Sequence, residues 1–482
     1  MNNAIRHTWV VSVAMFVTLF AALSVIQVAL TDELNRNENN ARQIIADRGA
    51  PRGPITVDGS PIAESVPTDS GQFDYQRVYH DSELYSGITG FYSISEGPTG
   101  LERSLNEYLS GQSDSQFFDR ITALFTGETM EGAQVELTLD GELQRLAFDQ
   151  IPDGTRGSII VTDLRTGDIK AMASKPTFNA NHMAVHNSEE YTQNKERVEA
   201  IEGLRMYQYR PINEPIFPGS TFKIVDAVAM LESGDYELDT ELENPDSIQL
   251  PQSNHRLPNL VTGNCHQRSE APFIWIFAQS CNTPFAEAAM ELGEDAIRDA
   301  AESFGWNESL SIPLDVTASH FGEMTSEAEL AQSAIGQQSV SATPLQMNLV
   351  AAAIGNGGTM MHPQLVEVIR GSDLQILDQP GPEVLHDVTD EDVAEQITEM
   401  MVETVNSGTA QSAQSDRFQI AAKTGTAETG EEGVYNTWIT GFAPADDPQY
   451  AVTIVYERID YQTGTSLVGP QLRTMLEAVI TE

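Results

Sequence analysis

The longest apolar stretch of the chain, Trp9 to Leu30, runs 22 residues without a charged side chain. At about 1.5 Å rise per residue, a helix of about 20 residues spans the hydrocarbon core of a bilayer. Arg6 and His7 precede the run, and Asp32 and Glu33 follow it. Positive residues tend to stay inside. The pattern therefore predicts a single-pass anchor over 9–30, with residues 1–8 in the cytoplasm and the rest of the chain outside the plasma membrane. A cleaved signal peptide is the rival reading, but its apolar region is usually about 7–15 residues and ends at a small-residue site. This run is longer, and Ser24–Leu30 offers no clear A-x-A site.

Beyond the anchor, Thr31 to Arg48 is dominated by Asn, Glu and Arg and reads as a polar helical stalk. Gly49 to Pro67 is rich in Gly and Pro and turn-like. Short strand signals follow at Arg77–Tyr79 and Gly90–Ser93, with partly helical patterns at 106–111 and 117–125. Residues 31–153 are expected to form a small α+β domain. Residues 154–482 open with Gly157–Asp163 and Ile169–Ala173, two apolar runs joined by an Arg165-Thr-Gly-Asp168 turn, which is a hairpin pattern. Helical periodicity dominates 219–233, 271–292, 294–304 and 343–355. Thr389 is placed to cap an acid-fronted helix through about Val405. Strand patterns close the chain at Phe418–Ala422, Asn436–Ala443 and Tyr450–Tyr456. Strands from opposite ends of this region with helices between them predict an α+β fold, an antiparallel sheet packed with helices.

Three short motifs interrupt these patterns. Pro218-Gly219-Ser220-Thr221-Phe222-Lys223 leads into the apolar run Ile224–Leu231, a buried helix with Ser220 in its first turn. Free N–H groups and the helix dipole favour developing negative charge there, and residues three apart share a face. Lys223 is thus placed to reach the Ser220 hydroxyl. A serine is a weak nucleophile until a base takes its proton, and a desolvated lysine near another cation has a lowered pKa. Ser280-Cys281-Asn282 lies at the joint between two helical patterns, where its hydroxyl and amide are placed to relay a proton and hold a carbonyl. Lys423-Thr424-Gly425-Thr426 ends the strand Phe418–Ala422; its glycine permits close backbone approach, its lysine supplies charge and its threonine hydroxyls suit a carboxylate. Taken singly, each has a plain structural reading: a capping serine with a surface lysine, a polar interhelix joint, a strand entering a turn. Together and in this order they form the Ser-x-x-Lys, Ser-x-Asn, Lys-Thr-Gly set of serine acyl-transferring enzymes.

Composition sharpens this. Only five lysines occur, at 170, 175, 195, 223 and 423, so two lysine-dependent motifs arising by chance is improbable. The 71 acidic against 26 basic residues give a formal charge of −45, which repels nucleic acid. No His-Glu-x-x-His or Cys-x-x-Cys pattern is present, so no metal or cofactor is expected.

With these motifs the chain resembles the class B penicillin-binding proteins, and within them the penicillin-binding protein A group of actinobacteria. The likeness includes Arg52-Gly-Pro-Ile55 with Asp58-Gly59, Leu137-Thr-Leu-Asp140 with Leu143-Gln144, Gly336-Gln337, Thr343-Pro-Leu-Gln-Met347, Asn356-Gly-Gly358 and Trp438-Ile-Thr-Gly-Phe-Ala-Pro444. Tyr79-His80 departs from a frequent Tyr-Pro, and Tyr209-Arg210-Pro211 from a frequent Asn-Arg-Ala. No glycosyltransferase domain is expected before residue 153, unlike the bifunctional class A proteins. The resemblance implies a pedestal or dimerisation-like domain over 31–153 and a transpeptidase domain over 154–482. It implies that Ser220 attacks the D-Ala-D-Ala bond of a peptidoglycan stem peptide while Lys223 takes its proton. Ser280 and Lys423 would return a proton to the departing D-alanine. Asn282 would hold the donor peptide, and Thr424 and Thr426, beside Gly425, its carboxylate. The backbone N–H groups of Ser220 and Thr426 would form the oxyanion hole. β-Lactams would acylate Ser220, and a polytopic lipid II polymerase of the SEDS family is the expected partner. The alternatives within this chemistry are a D,D-carboxypeptidase or a β-lactamase; outside it, a penicillin sensor or inactive scaffold. Cys265 and Cys281 would both lie on the oxidising side and are expected to form a disulfide closing a loop worth about 3 kcal/mol, the alternative being two buried thiols.

Overall fold

The computed structural model describes residues 3–26, 51–69, 73–126, 130–260 and 264–480. It opens with an apolar helix, Asn3–Ser24, long enough to cross a membrane once and not buried by any other of the described residues. The helix starts six residues before the charge-free run and so includes Arg6. Residues 27–30 of the expected anchor and the expected stalk lie outside the described residues.

The larger unit is built on a five-stranded antiparallel sheet. Its spatial order is Ala421–Glu428, Tyr435–Ala443, Tyr450–Ile459, Arg156–Asp163, Ile169–Lys175. The hairpin patterns at 157–173 pair as expected, and the C-terminal strands join them edge to edge. Arg156–Asp163 is buried along almost its whole length because both faces of the sheet are covered. Ile159 and Val161 face a core shared with Leu472 and Met475 of the C-terminal helix Tyr461–Val479. Ile160 faces the opposite core, with Leu345 and Val350 of the helix Pro344–Gly355. That second helix is buried at every position from Pro344 to Ile354, as expected of a sequence apolar on all sides but for Gln346 and Asn348.

Two expectations are corrected. The helix ending near Val405 spans Glu391–Asn406 and is capped by Asp390, whose carboxylate accepts from Val393 N at 3.0 Å. Thr389 instead donates its hydroxyl to Glu232 Oε1 at 2.7 Å; the residue adjacent to the helix is the one in reach of the free amides. The strand assigned to Phe418–Ala422 runs from Ala421 to Glu428. Lys423-Thr424-Gly425-Thr426 thus lies inside it, not at its end, because pairing with Tyr435–Ala443 continues through Glu428.

The smaller unit is not contiguous in sequence. Its six-stranded sheet has the order Ile376–Asp378, Val366–Arg370, Gln134–Leu137, Ile55–Val57, Ser60–Pro67, Tyr75–Tyr79. The first two strands come from residues 366–378, within the sequence of the larger unit. Between the sheets, Gln144 exchanges two hydrogen bonds with the Met172 backbone, 2.7 and 2.9 Å, and Thr138 Oγ1 donates to Ile169 O at 2.9 Å. These bonds account for the Leu137–Gln144 motif as a seam.

Within the smaller unit Glu102 is fully buried between Arg52 and Arg77, at 2.9 and 2.6 Å, and accepts from Tyr79 OH at 3.1 Å. Burial pushes its carboxyl up, but the two guanidinium groups prevail and hold it below the usual carboxylate range. The strand Tyr75–Tyr79 and the segment before Ile55–Val57 thus converge on one buried anion of the helix Gly100–Ser104. Removing it leaves two buried cations uncompensated, so Glu102→Gln is expected to destabilise this unit by about 3–5 kcal/mol, seen as a lowered urea midpoint in the purified protein.

Candidate active site

Ser220 sits in a short 3-10 turn, Gly219–Thr221, one residue before the α-helix Lys223–Ser233. The turn is pressed into its surroundings by glycine. Gly219 has φ 55°, and a Cβ there would lie 2.8 Å from Thr426 O; a Cβ on Gly425 would lie 2.7 Å from Pro218 O. The nucleophile turn and the Lys423 strand are therefore in backbone contact, which brings Ser220 and Thr426 together. Trp438 Nε1 donates to Phe217 O at 3.0 Å and pins the turn to the next strand of the sheet. Ser220 Oγ makes no hydrogen bond among the described residues.

Lys223, the first residue of the helix, is fully buried. It does not donate to Ser220, as the shared helix face suggested. Its ammonium is held by Ser280 O at 2.9 Å, Cys281 O at 3.0 Å and Asn282 Oδ1 at 2.8 Å. Three acceptors from one joint outcompete a single hydroxyl. Burial, and then the charge of Lys423, push the amine well below the usual lysine range. A neutral amine keeps two N–H bonds and gains a lone pair, so loss of the proton frees one of these three contacts and leaves a lone pair able to accept a proton.

The joint is formed by Ser280–Asn282, between the helices Phe273–Gln279 and Thr283–Leu292. Ser280 ends the first helix in the left-handed region, φ 61°, and its own carbonyl and that of Cys281 face Lys223. Several contacts hold this conformation. Cys281 is bridged to Cys265, with Cα atoms 5.6 Å apart. Asn259 Oδ1 accepts from Asn282 N at 2.6 Å. Asn282 Nδ2 donates to Pro258 O at 3.1 Å, so both ends of this amide are engaged by the protein itself.

Lys423 completes the cluster. It is fully buried and donates to Ser280 Oγ at 2.8 Å and Thr424 O at 3.0 Å. Burial lowers its pKa to about 7. Strand alternation turns Lys423 and Gly425 inward and leaves Thr424 and Thr426 half-buried on the other face. One further contributor has no sequence signal: Thr409, 15 residues from Thr424, shares a hydrogen bond of 2.5 Å with its hydroxyl. Thr409 follows Gly408 on the loop after Glu391–Asn406, and its amide donates to Ala278 O at 3.1 Å. The chain so links the Ser280 joint to the Lys423 strand. All the motif residues expected to act together are thereby assembled: a serine, two buried lysines sharing Ser280, and an edge strand carrying threonine hydroxyls.

Residues 157–477 match the family model described as penicillin binding protein transpeptidase domain. The chain belongs to this family of penicillin-binding proteins. Residues 52–135 match a second model, the penicillin binding protein A dimerisation domain. The penicillin-binding protein is 35% identical to peptidoglycan D,D-transpeptidase PbpA of Mycolicibacterium smegmatis over the whole of both chains. It is 33% identical to the protein of that name from Mycobacterium tuberculosis, across 100% of this chain and 99% of the relative. Among solved structures, the ceftriaxone acyl-enzyme complex of penicillin-binding protein A from M. tuberculosis aligns at TM-score 0.86 and 32% identity, covering 91% of this chain and 100% of that one.

Two outcomes follow from this geometry. Gly219→Ala strains a positive φ and drives a methyl against Thr426 O, so the variant is expected to lose at least about tenfold in the rate of β-lactam acylation with an unchanged far-UV circular dichroism spectrum. Reducing the Cys265–Cys281 bridge, or Cys265→Ser with Cys281→Ser, is expected to cost about 3 kcal/mol in denaturant unfolding and to slow acylation, because the acceptors of Lys223 lie on the bridged joint. A non-reducing thiol count on denatured protein, expected to find none, checks the bridge itself.

Proposed function

We propose that the protein is a serine-type D,D-transpeptidase that cross-links peptidoglycan stem peptides through an acyl-enzyme on Ser220 and is inhibited covalently by β-lactams. The observation that carries this reading is the pair of buried lysines, Lys223 and Lys423, joined through Ser280 beside Ser220. In the forward step Ser220 Oγ bonds to the carbonyl carbon between the two terminal D-alanines, and its proton passes to Lys223 Nζ. The carbonyl π pair moves onto oxygen, opposite the backbone amides of Ser220 and Thr426 in the role of an oxyanion hole. As the tetrahedral species collapses, Ser280 gives its proton to the departing amine and is resupplied by Lys423. Asn282 orients the donor peptide, and Thr424 and Thr426 take its carboxylate with Gly425 giving close approach. The amine of a second stem peptide then attacks the ester.

The same reading places the N-terminus in the cytoplasm and the catalytic unit outside the plasma membrane, supported by Arg6 before the apolar run, the acidic residues after it and the disulfide. The apolar helix and the smaller unit are the surfaces offered to a polytopic SEDS-family lipid II polymerase; a membrane pull-down that recovers no such polymerase counts against that partner.

Labelling with a fluorescent penicillin tests the chemistry. The wild type is expected to give a long-lived adduct and Ser220→Ala none; rapid turnover of the drug contradicts a transpeptidase and indicates a β-lactamase. The acylation rate is expected to follow a bell-shaped pH profile. It rises as Lys223 loses its proton, below the usual lysine range, and falls as Lys423 loses its own at about 7. A rate that keeps rising to about pH 10, where free lysines titrate, contradicts these roles.

A further inference from the structure

One hydroxyl beside the site has no part in the proposed reaction, that of Thr409. It lies on the loop after the helix Glu391–Asn406 and is exposed, so burial is not what holds it in place. The backbone is. The Thr409 amide donates to Ala278 O at 3.1 Å, the Gly408 amide to Glu403 O at 3.2 Å and the Ala410 amide to Thr404 O at 3.0 Å. Gln279 Nε2 donates to Ser407 O at 3.0 Å. Gly408 is pressed on the same helix end, where a Cβ would lie 2.2 Å from Ala278 O. The loop is therefore fixed on the helix Phe273–Gln279 that leads into Ser280, and it sets the Thr409 hydroxyl 2.5 Å from that of Thr424. Among the described residues Thr409 is the one hydrogen-bond partner of the Thr424 hydroxyl.

A hydroxyl carries one proton and two lone pairs, so this pair has two states. If Thr424 donates to Thr409, it turns lone pairs toward the end of the donor peptide, which repels an anion. If Thr409 donates to Thr424, the single Thr424 proton is left for the substrate. A carboxylate only accepts hydrogen bonds, so it selects the second state. A hydroxyl that already accepts a bond is polarised into a stronger donor.

We propose that Thr409 is a positioning residue that sets specificity for donors ending in a free carboxylate: it donates to Thr424 and so commits the Thr424 proton to that carboxylate. Thr409 acts through Thr424 and does not itself meet the substrate. A donor whose end is a neutral ester accepts more weakly, because hydrogen bonds to an ionised acceptor are about twice as strong as neutral ones, and it gains less from the arrangement. The inference rests on the proposed reading in which Thr424 takes the carboxylate.

The experiment compares penicillin G with its methyl ester, which keeps the reactive ring and lacks the anion. Second-order rates of acylation are measured on full-length protein in detergent, by competition with a fluorescent penicillin. The proteins are wild type, Thr409→Val, Thr409→Ser, Thr424→Val and the double variant Thr409→Val with Thr424→Val. The quantity read is the rate with the acid divided by the rate with the ester, which a general loss of fold or of Ser220 reactivity does not move. Thr409→Val keeps the shape of the side chain and removes its proton. It is expected to lower the ratio about three- to tenfold, the range of one net hydrogen bond, while Thr409→Ser stays within about twofold of wild type. Thr424→Val is expected to lower the ratio at least as far, and the double variant to fall no further than Thr424→Val, because residues acting through one hydroxyl are not additive. Thr409→Ala lacks the same proton and reads the ratio if the valine variant does not fold. An unchanged ratio in Thr409→Val, equal losses for acid and ester, or a serine variant as low as the valine one overturns the proposal. A double variant whose losses add also overturns it and makes Thr409 a direct contact of the substrate. If Thr424→Val keeps the wild-type ratio, the failure lies with Thr424 as the place of the carboxylate. If Thr424→Val loses the ratio while Thr409→Val keeps it, the failure lies with Thr409 alone.

Discussion

Two lysine side chains, Lys223 and Lys423, are buried completely, side by side, with no carboxylate in hydrogen-bonding contact with either. Charged amines resist such an environment by several kcal/mol each. The protein holds them with oxygen dipoles: two carbonyls and an amide for Lys223, a hydroxyl and a carbonyl for Lys423. Those dipoles must come from a rigid source, and most of them come from one joint, Ser280–Asn282. The left-handed Ser280, the Cys265–Cys281 bridge, the Asn259 contacts to the start of the following helix and the Gly408–Thr409 loop all serve to keep that joint in one shape. The chemistry follows from the same constraint. What makes the amines unfavourable as cations makes them available as bases near neutral pH, where an exposed lysine is inert.

The sheet and its neighbours supply the stiffness this needs. Lys423 lies mid-strand, paired on one side through Glu428, while its other side meets the Ser220 turn through Gly219 and Gly425. Any slip of the strand would reverse the inward direction of Lys423. The smaller unit borrows two strands from residues 366–378, so the two units share chain crossings as well as the Gln144–Met172 bonds, and the base on which the site stands cannot swing on a single linker.

The fold class and the motif residues that the structure brings together were legible because they rest on short-range rules. Hairpin patterning placed 157–173, and the three-residue spacing of Ser220 and Lys223 put them on one helix face. What escaped was set by tertiary contact. The carbonyls that claim Lys223 are 57 and 58 residues away, and Thr409 joins the site only through a loop packed on Ala278. The Lys-Thr-Gly segment was read as a strand end because glycine weakens strand patterns, whereas here the missing side chain is what lets the nucleophile turn approach. Thr389 and Asp390 are both capping residue types, and the helix start at Glu391 selects Asp390.

With five lysines in 482 residues, their amines can be resolved individually by NMR of lysine-labelled protein, with Lys223→Ala and Lys423→Ala giving the assignments. The pH titration of these two signals is the direct test that burial, not an external base, activates the serine. Both are expected to titrate well below the usual lysine range, Lys423 at about 7. Two amines that stay protonated to about pH 10 would contradict it.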